Sequence, residues 1–514
     1  MTTMRALLER AERHFPANPA LVPVSGGRTL TWSEFVVRIR QAAGALRALG
    51  VGAGDRFAIM CRNDPRQAEL IHAGYWTGAV PVPINYRLAP LEIAAILEEI
   101  SPRLVAVEDH WARRIADPAL APYRDKVLWI GREHGGMPGR PVYEEIRDAS
   151  PEDSGAAVSE DDDALLLYTG GTTGRAKGVR LTHRNIVTNG LQLMEPYRLA
   201  EDDVMLHVAP MFHAAGLLGT PLSLAGAAHA YLPDFTPDAF LAAVEKSRVT
   251  FTLLSPTMII RIIRVGRIRD FDISSLRRIT YGAAPIDTVW IRRTMETFPG
   301  VELVHSYGLT ETSPVLTTLG WNHHLGGERL PSVGRPVLGV NLRIVDNEGN
   351  DLPAGEAGEI AVRGPNVSPG YLDRPDETAA VFRDGWFFTG DVGRLDGEGF
   401  LYLLDRKKDI IITGGENVWS GEVEAALYRH PDVVEAAVIG VPEETRGETV
   451  LAAIVPAPGS DLAAGNGKKA LTEHCRRFLG HYKVPRLYRF VDELPKSAMG
   501  KVVKAELRRR YGKE

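Results

Sequence analysis

Apolar residues recur at two periods along the first part of the chain. Over residues 33–49 they fall at Phe35, Val36, Ile39, Ala42, Leu46 and Leu49, the spacing of one helix face, and Gly50 and Gly52 end the run. Arg56-Phe57-Ala58-Ile59-Met60 then reads as a strand. A second cycle predicts a helix over 65–77, a strand over 79–84 whose prolines suit a sheet edge, a helix over 91–100 and a strand over 104–107. Such alternation predicts an α/β fold with a largely parallel sheet. Sites in these sheets lie at the carboxyl ends of strands, and the glycine-rich loop 168–178, after the apolar run Ala164 to Leu167, is expected at such an end.

Further along, Tyr402-Leu403-Leu404 and Ile410-Ile411-Ile412 are apolar strands separated by the charged Asp405-Arg406-Lys407-Lys408-Asp409, which is where a domain boundary would fall. Beyond it, the patterns over 422–428, 433–439, 450–455 and 471–479 suffice for a small α/β domain. Two polar stretches read as solvated: the acidic turn Glu160-Asp161-Asp162-Asp163, and a basic tail (Lys504, Arg508 to Arg510, Lys513) taken as an exposed helix face.

Composition narrows the function classes. A chain of 514 residues is too long for one core. A net charge of -5 argues against nucleic acid as the main partner, because a phosphate backbone demands a strongly basic face. Cys61 and Cys475, far apart and without metal-ligand spacing, suggest neither a disulfide framework nor a zinc site, and fit a cytoplasmic setting. Charges throughout residues 1–16 predict no export signal, and no apolar run is long enough for a transmembrane segment.

The candidate chemistry begins at Tyr168-Thr169-Gly170-Gly171-Thr172-Thr173-Gly174-Arg175-Ala176-Lys177-Gly178. Glycines bring backbone N–H groups close to an anion, threonines add hydroxyls, and Arg175 and Lys177 add positive charge, so the loop is expected to grip phosphate. It is not a P-loop, because Lys177 is followed by glycine instead of Ser or Thr. His213, inside Pro210-Met211-Phe212-His213-Ala214-Ala215-Gly216, is by itself as much a core histidine as a reagent. Gly282-Ala283-Ala284-Pro285 ends a strand in small residues against which a flat ring can lie. In Ser306-Tyr307-Gly308-Leu309-Thr310-Glu311 a ring to stack, a hydroxyl for phosphate and a carboxylate for a hard cation sit together, a set that suits magnesium. Asp391 follows an aromatic strand, and an Asp can accept from both ribose hydroxyls. Near the end, Lys501 stands alone on a loop hinged at Gly500.

Taken in order, these motifs, with Gly414-Gly415-Glu416-Asn417-Val418, closely resemble the AMP-forming acyl-CoA synthetases of the adenylate-forming superfamily, along nearly the whole chain. The resemblance implies a large N-terminal domain (1–404) of parallel-sheet α/β subdomains that binds ATP and acid, a hinge (405–409) at Lys408, and a small mobile α/β C-terminal domain (410–514). It implies a two-step reaction: a carboxylate attacks the α-phosphorus of ATP to give acyl-AMP and pyrophosphate, then the thiol of coenzyme A attacks the acyl carbon and releases AMP. Lys501 would offset charge in the first step, Glu311 would bind Mg2+, and Thr310 a phosphate. The loop from Thr169 to Lys177 would hold the β- and γ-phosphates. Tyr307 would stack on adenine beside Gly282, Ala283, Ala284 and Gly308, with Asp391 and Arg406 on the ribose. His213, Ala214, Ala215 and Ser306 would face the acid, and Gly414, Gly415 and Trp419 the CoA. Departures from the family pattern are Gly170 for serine, Ala176 for proline, and Trp419-Ser420 for tyrosine-proline.

The expected acid is apolar, since Ala214, Ala215, Leu217, Ser306, Pro314, Val315 and Leu316 bring no charge for a second carboxylate. A medium- or long-chain fatty acid comes first, with aryl or alicyclic acids as the alternative; a carrier protein as acyl acceptor is a further one. The partners are thus small molecules: acid, ATP and CoA. The oligomeric state is left open, a homodimer included.

Overall fold

The computed structural model describes residues 3–131, 139–169, 176–463, 466–496 and 502–512. The alternation read from the sequence is present. The helix Trp32–Ala48 starts at a capping box in which Thr31 and Glu34 satisfy each other's backbone N–H, and it buries Phe35, Val36, Ile39, Ala42 and Leu46. It leads to Arg56–Met60, the helix Pro65–Thr77 capped by Asp64, and Val80–Pro83. These strands belong to a four-stranded parallel sheet in the order Val80–Pro83, Arg56–Met60, Leu104–Glu108, Val127–Ile130, so the proline-bearing strand is an edge.

A nine-stranded sheet carries most of the other parallel strands. Its middle runs Glu302–Tyr307, Arg278–Gly282, Phe251–Leu254, Val204–His207, Ala228–Tyr231 and Pro19–Leu21, all parallel. Loops 208–213, 283–287 and 308–312 therefore leave from the same sheet edge, which is what gathers His213, Ala283 and Glu311. An antiparallel sheet contains Asn341–Val345, Gly358–Arg363, Trp386–Leu395 and Leu401–Arg406. The last sheet joins Ile411–Thr413, Glu416–Val418, Val433–Glu443, Gly447–Pro456 and Leu487–Phe490, with the helices Ser420–Tyr428 and Gly467–Arg476. Its core of Ile411, Val423, Leu427, Val438, Ile454 and Leu471 is a cluster of its own.

Two expectations are corrected. The phosphate loop does not leave the parallel sheet: it joins Asp163–Thr169 to the antiparallel Lys177–Thr182, in a three-stranded sheet completed by Gly370–Tyr371. A short apolar run fixes a strand but not its partner or its direction. The basic tail is a solvated face only in part: on the helix Lys504–Tyr511, Arg509 and Arg510 are exposed, but the half-buried Lys504 pairs with Glu424 at 2.8 Å and Arg508 bonds Asp409 at 2.7 Å. The acidic turn is solvated, with Asp161 and Asp162 exposed, and carries surface ion pairs from Arg184 to Glu160 and Asp161 and from Arg180 to Asp163. Both cysteines are buried free thiols.

Candidate active site

Glu311 lies in the short turn Thr310–Thr312, immediately past the strand Glu302–Tyr307, and is buried. Burial disfavours its charge and raises its pKa; the Tyr371 hydroxyl, donating to Oε1 at 2.9 Å, acts the other way. Tyr371 comes from the strand beside the phosphate hairpin, and its ring lies 5.0 Å from Lys177 Nζ. Lys177 in turn pairs with Glu377. The hairpin base and the carboxylate are thus linked through one tyrosine. Among the described residues no group of three or more His, Cys, Asp or Glu is arranged so that it could hold a metal ion. A lone buried carboxylate beside a threonine hydroxyl is a hard-oxygen donor set, and it fits Mg2+, which takes most of its ligands from water and substrate phosphates.

A second network is built by strand pairing. Asp391 sits opposite Arg406 in the ladder between Trp386–Leu395 and Leu401–Arg406, and Arg406 Nε reaches Asp391 Oδ1 at 2.6 Å. The Tyr307 hydroxyl donates to Asp391 Oδ2 at 2.7 Å. Burial opposes the Arg406 charge, but Asp391, Tyr307 and Glu311 outweigh it and raise its pKa, while burial and Asp391 push the Tyr307 phenol well up. The expected ring wall is close by: Gly282 is paired with Ser306, and a Cβ on Gly282 would stand 2.0 Å from the Ser306 carbonyl oxygen. Ala283 holds a φ of 65°, an uncommon conformation for a residue with a side chain, and Ala284 follows. Gly308 is equally tight against Pro314.

His213 caps the turn Ala214–Leu218, its ring 4.4 Å from Phe212. Ala214 and Ala215 are half-buried, whereas Leu217, Val315 and Leu316 are buried. The loop leading to His213 is pinned by Asn63, which sequence reasoning did not single out. Its Nδ2 donates to the carbonyls of His207 and Ala209, and its Oδ1 accepts from Met211 N at 2.9 Å. Ser306 meets Tyr197 and Thr280, two other hydroxyls that carried no spacing signal.

Gly414 and Gly415, at φ of 62° and 85°, make the two-residue turn of the hairpin Ile411–Thr413/Glu416–Val418, and Trp419 precedes the helix Ser420–Tyr428. Lys408 lies in the turn Lys407–Asp409 between the last two sheets. Gly170, Gly171, Thr172, Thr173, Gly174 and Arg175 of the phosphate loop, and Lys501, lie outside the described residues. Thr169 and Lys177, opposite each other in the ladder, are the described ends of that loop.

Together the fold and its matches define a ligase that joins a carboxylic acid to a thiol through an acyl-adenylate. Residues 8–372 match the AMP-binding enzyme family and residues 422–501 the AMP-binding enzyme C-terminal domain. The chain belongs to this family, as an AMP-forming acyl-CoA synthetase that uses ATP, Mg2+ and CoA. It is 40% identical to a feruloyl-CoA synthase of Amycolatopsis sp over 489 residues, covering 95% of each chain. It is 35% identical to an indoleacetate–CoA ligase of Aromatoleum aromaticum, covering 98% of this chain and 97% of that one. The crystal structure of ATP-bound MatB from Rhodopseudomonas palustris superposes with a TM-score of 0.88 at 31% identity, covering 99% of both. No helix among the described residues is long and apolar enough to cross a membrane.

Proposed function

We propose that this synthetase activates an aryl carboxylic acid. The observation that carries the reading is the likeness, at 40% and 35% identity over nearly the full chain, to two ligases whose named acids, ferulic and indoleacetic, are aryl. It favours an aryl acid over the fatty acid expected from an apolar wall, which the sequence alone did not separate from a flat ring. Ala214, Ala215 and Val315 would keep the acid's wall small and apolar.

In the first step a carboxylate oxygen bonds to the α-phosphorus and pyrophosphate leaves; in the second the CoA sulfur bonds to the acyl carbon and AMP leaves. Tyr307 and the Gly282 to Ala284 segment would flank adenine, and Asp391, held by Arg406, would accept from the ribose. Glu311 and Thr310 would hold Mg2+, which supplies charge neutralisation on the phosphates. Lys177 would leave Glu377 for the β- and γ-phosphates, and Lys501, from the C-terminal domain beyond Lys408, would stabilise charge developing at the α-phosphate. Residues 410–514 would then turn about 405–409 to present Gly414, Gly415 and Trp419 to CoA.

The test is pyrophosphate release across a panel of acids, followed by thioester formation with CoA. Hydroxycinnamic and arylacetic acids should exceed octanoate and palmitate in kcat/KM by at least about tenfold. Equal or better turnover of the fatty acids would overturn the reading.

A further inference from the structure

Beside the base of the phosphate hairpin, one glutamate stands between two cations. Glu377 pairs through Oε2 with Lys177 and through Oε1 with Arg374 Nη1 at 3.4 Å, and Arg374 Nε reaches Glu99 Oε1 at 3.2 Å. Charge therefore alternates in sign from Lys177 to Glu99. The side chains of Lys177 and Glu377 keep only 17% and 31% exposure, so water and salt screen this pair less than an open one. The bond from Lys177 is the foremost reason that the Glu377 carboxyl sits below its ordinary pKa, and Arg374 adds to it.

Backbone bonds hold this arrangement in place. Tyr371 pairs with Val179 on the hairpin, Leu372 N donates to the Gly178 carbonyl at 2.8 Å, and Tyr371 N donates to Thr378 Oγ1 at 3.1 Å. Thr378 and Glu377 share the helix Pro375–Val381, so these bonds place Glu377 beside Lys177 without drawing on either charge. A polyphosphate approaching Lys177 brings negative charge up to Glu377, and the two anions compete for one ammonium. Glu377 is able to yield because Arg374 already holds its other oxygen. A shielded carboxylate left with no cation would resist that change; this one keeps a partner.

We infer that Glu377 is a positioning residue that parks Lys177 while the nucleotide site is empty and takes it back as pyrophosphate leaves, with Arg374 holding the carboxylate in between. Glu377 thereby loosens the grip of Lys177 on ATP and, in equal measure, on the pyrophosphate that has to depart. The inference rests on the assignment of Lys177 to the β- and γ-phosphates made above, and it holds for whichever acid is activated.

The experiment titrates the full chain with ATP and with pyrophosphate, each with Mg2+, and reads the dissociation constants by calorimetry. Glu377→Gln should bind both at least about threefold more tightly than wild type, because neither ligand has to break the pair first. In turnover with the best acid of the panel, KM for ATP should fall while kcat does not rise; a role in packing alone would loosen the site and raise KM. Lys177→Met should weaken both ligands. Adding Glu377→Gln to it should then change neither by more than about twofold, since the ammonium that Glu377 parks is gone. Wild-type affinities in Glu377→Gln overturn the inference. So does an equal tightening with and without Lys177, which reports only the loss of one negative charge near an anion. Lys177→Met with wild-type affinity for both ligands would instead remove Lys177 from the phosphates, and the inference falls with that assignment. Should Glu377→Gln fail to fold, Glu377→Ala carries the same expectations.

Discussion

Three imidazoles, those of His72, His207 and His229, are enclosed in the N-terminal part of the molecule. His207 Nε2 meets His229 Nδ1 at 3.0 Å, and His229 Nε2 meets Ser223 Oγ at 3.1 Å. Burial lowers His72 to about 4 and His207 to about 3, and holds His229 well below its ordinary value. Their pKa values are depressed in the folded state, so the unfolded chain takes up more protons below about pH 6.5. The stability they allow is complete above that pH and is lost as pH falls towards 4, at up to about 2 kcal/mol per histidine by pH 5. Thermal melts should show a midpoint that is flat from pH 8 to 7 and falls steeply below 6. Also at the residue scale, Tyr371→Phe should raise the Mg2+ concentration for half-maximal pyrophosphate release roughly tenfold, because Glu311 loses the hydroxyl that orients it. An unchanged Mg2+ titration would remove Tyr371 from that role. Glu311, Tyr307 and Asp391 stood out as candidates in the sequence because charge and ring sit near glycine in short motifs, whereas Arg406 was picked out only by the family resemblance. Tyr371, Asn63 and Tyr197 were not legible, since each acts on residues 60 or more positions away and a lone polar residue has no period.

At the scale of elements, the helix Trp32–Ala48 was readable because its period selects one buried face, and the strands up to Glu108 because each is a short apolar run buried on both faces. The phosphate hairpin was placed on the wrong sheet because an apolar run such as Ala164 to Leu167 looks the same in a parallel and an antiparallel setting. Its antiparallel pairing puts Lys177 across from Thr169 and next to Tyr371, which no chain-order argument supplies. The hairpin at Gly414 makes a sharper prediction. With a left-handed φ of 62° inside a two-residue turn, Gly414→Val should destabilise the protein by about 1–2 kcal/mol, whereas Gly414→Asn should cost less than half as much. Urea denaturation of the two variants measures the difference, and equal stability would mean that the turn has no such demand.

For the whole molecule, a large first part and a smaller second one with its own core are present, and the charged run 405–409 is where the sequence suggested that they meet. What the sequence concealed is how firmly the final helix is fastened. Burial disfavours the charge on Lys504, yet Glu424 outweighs it and raises the pKa; burial likewise raises Glu424. Lys504→Met should leave the half-buried Glu424 without its ion-pair partner and cost about 1–3 kcal/mol, read as a lower urea midpoint. Lys501→Ala should separate the half-reactions, suppressing acyl-AMP formation by at least about a hundredfold while sparing thioester formation from supplied acyl-AMP. Equal loss of both steps would contradict a rotating second domain.

The fastening of the helix Lys504–Tyr511 reaches across the break itself. Arg508 grips Asp409, and Lys504 reaches Glu424 and Ser420, whose N–H bonds Asp405. Both ends of the 405–409 segment are therefore tethered to a helix that begins three residues after Lys501. An affinity tag, a fusion partner or proteolytic trimming at this end pulls on the pivot as a handle pulls on an axle, so an assay of turnover is best run on protein tagged at the other end.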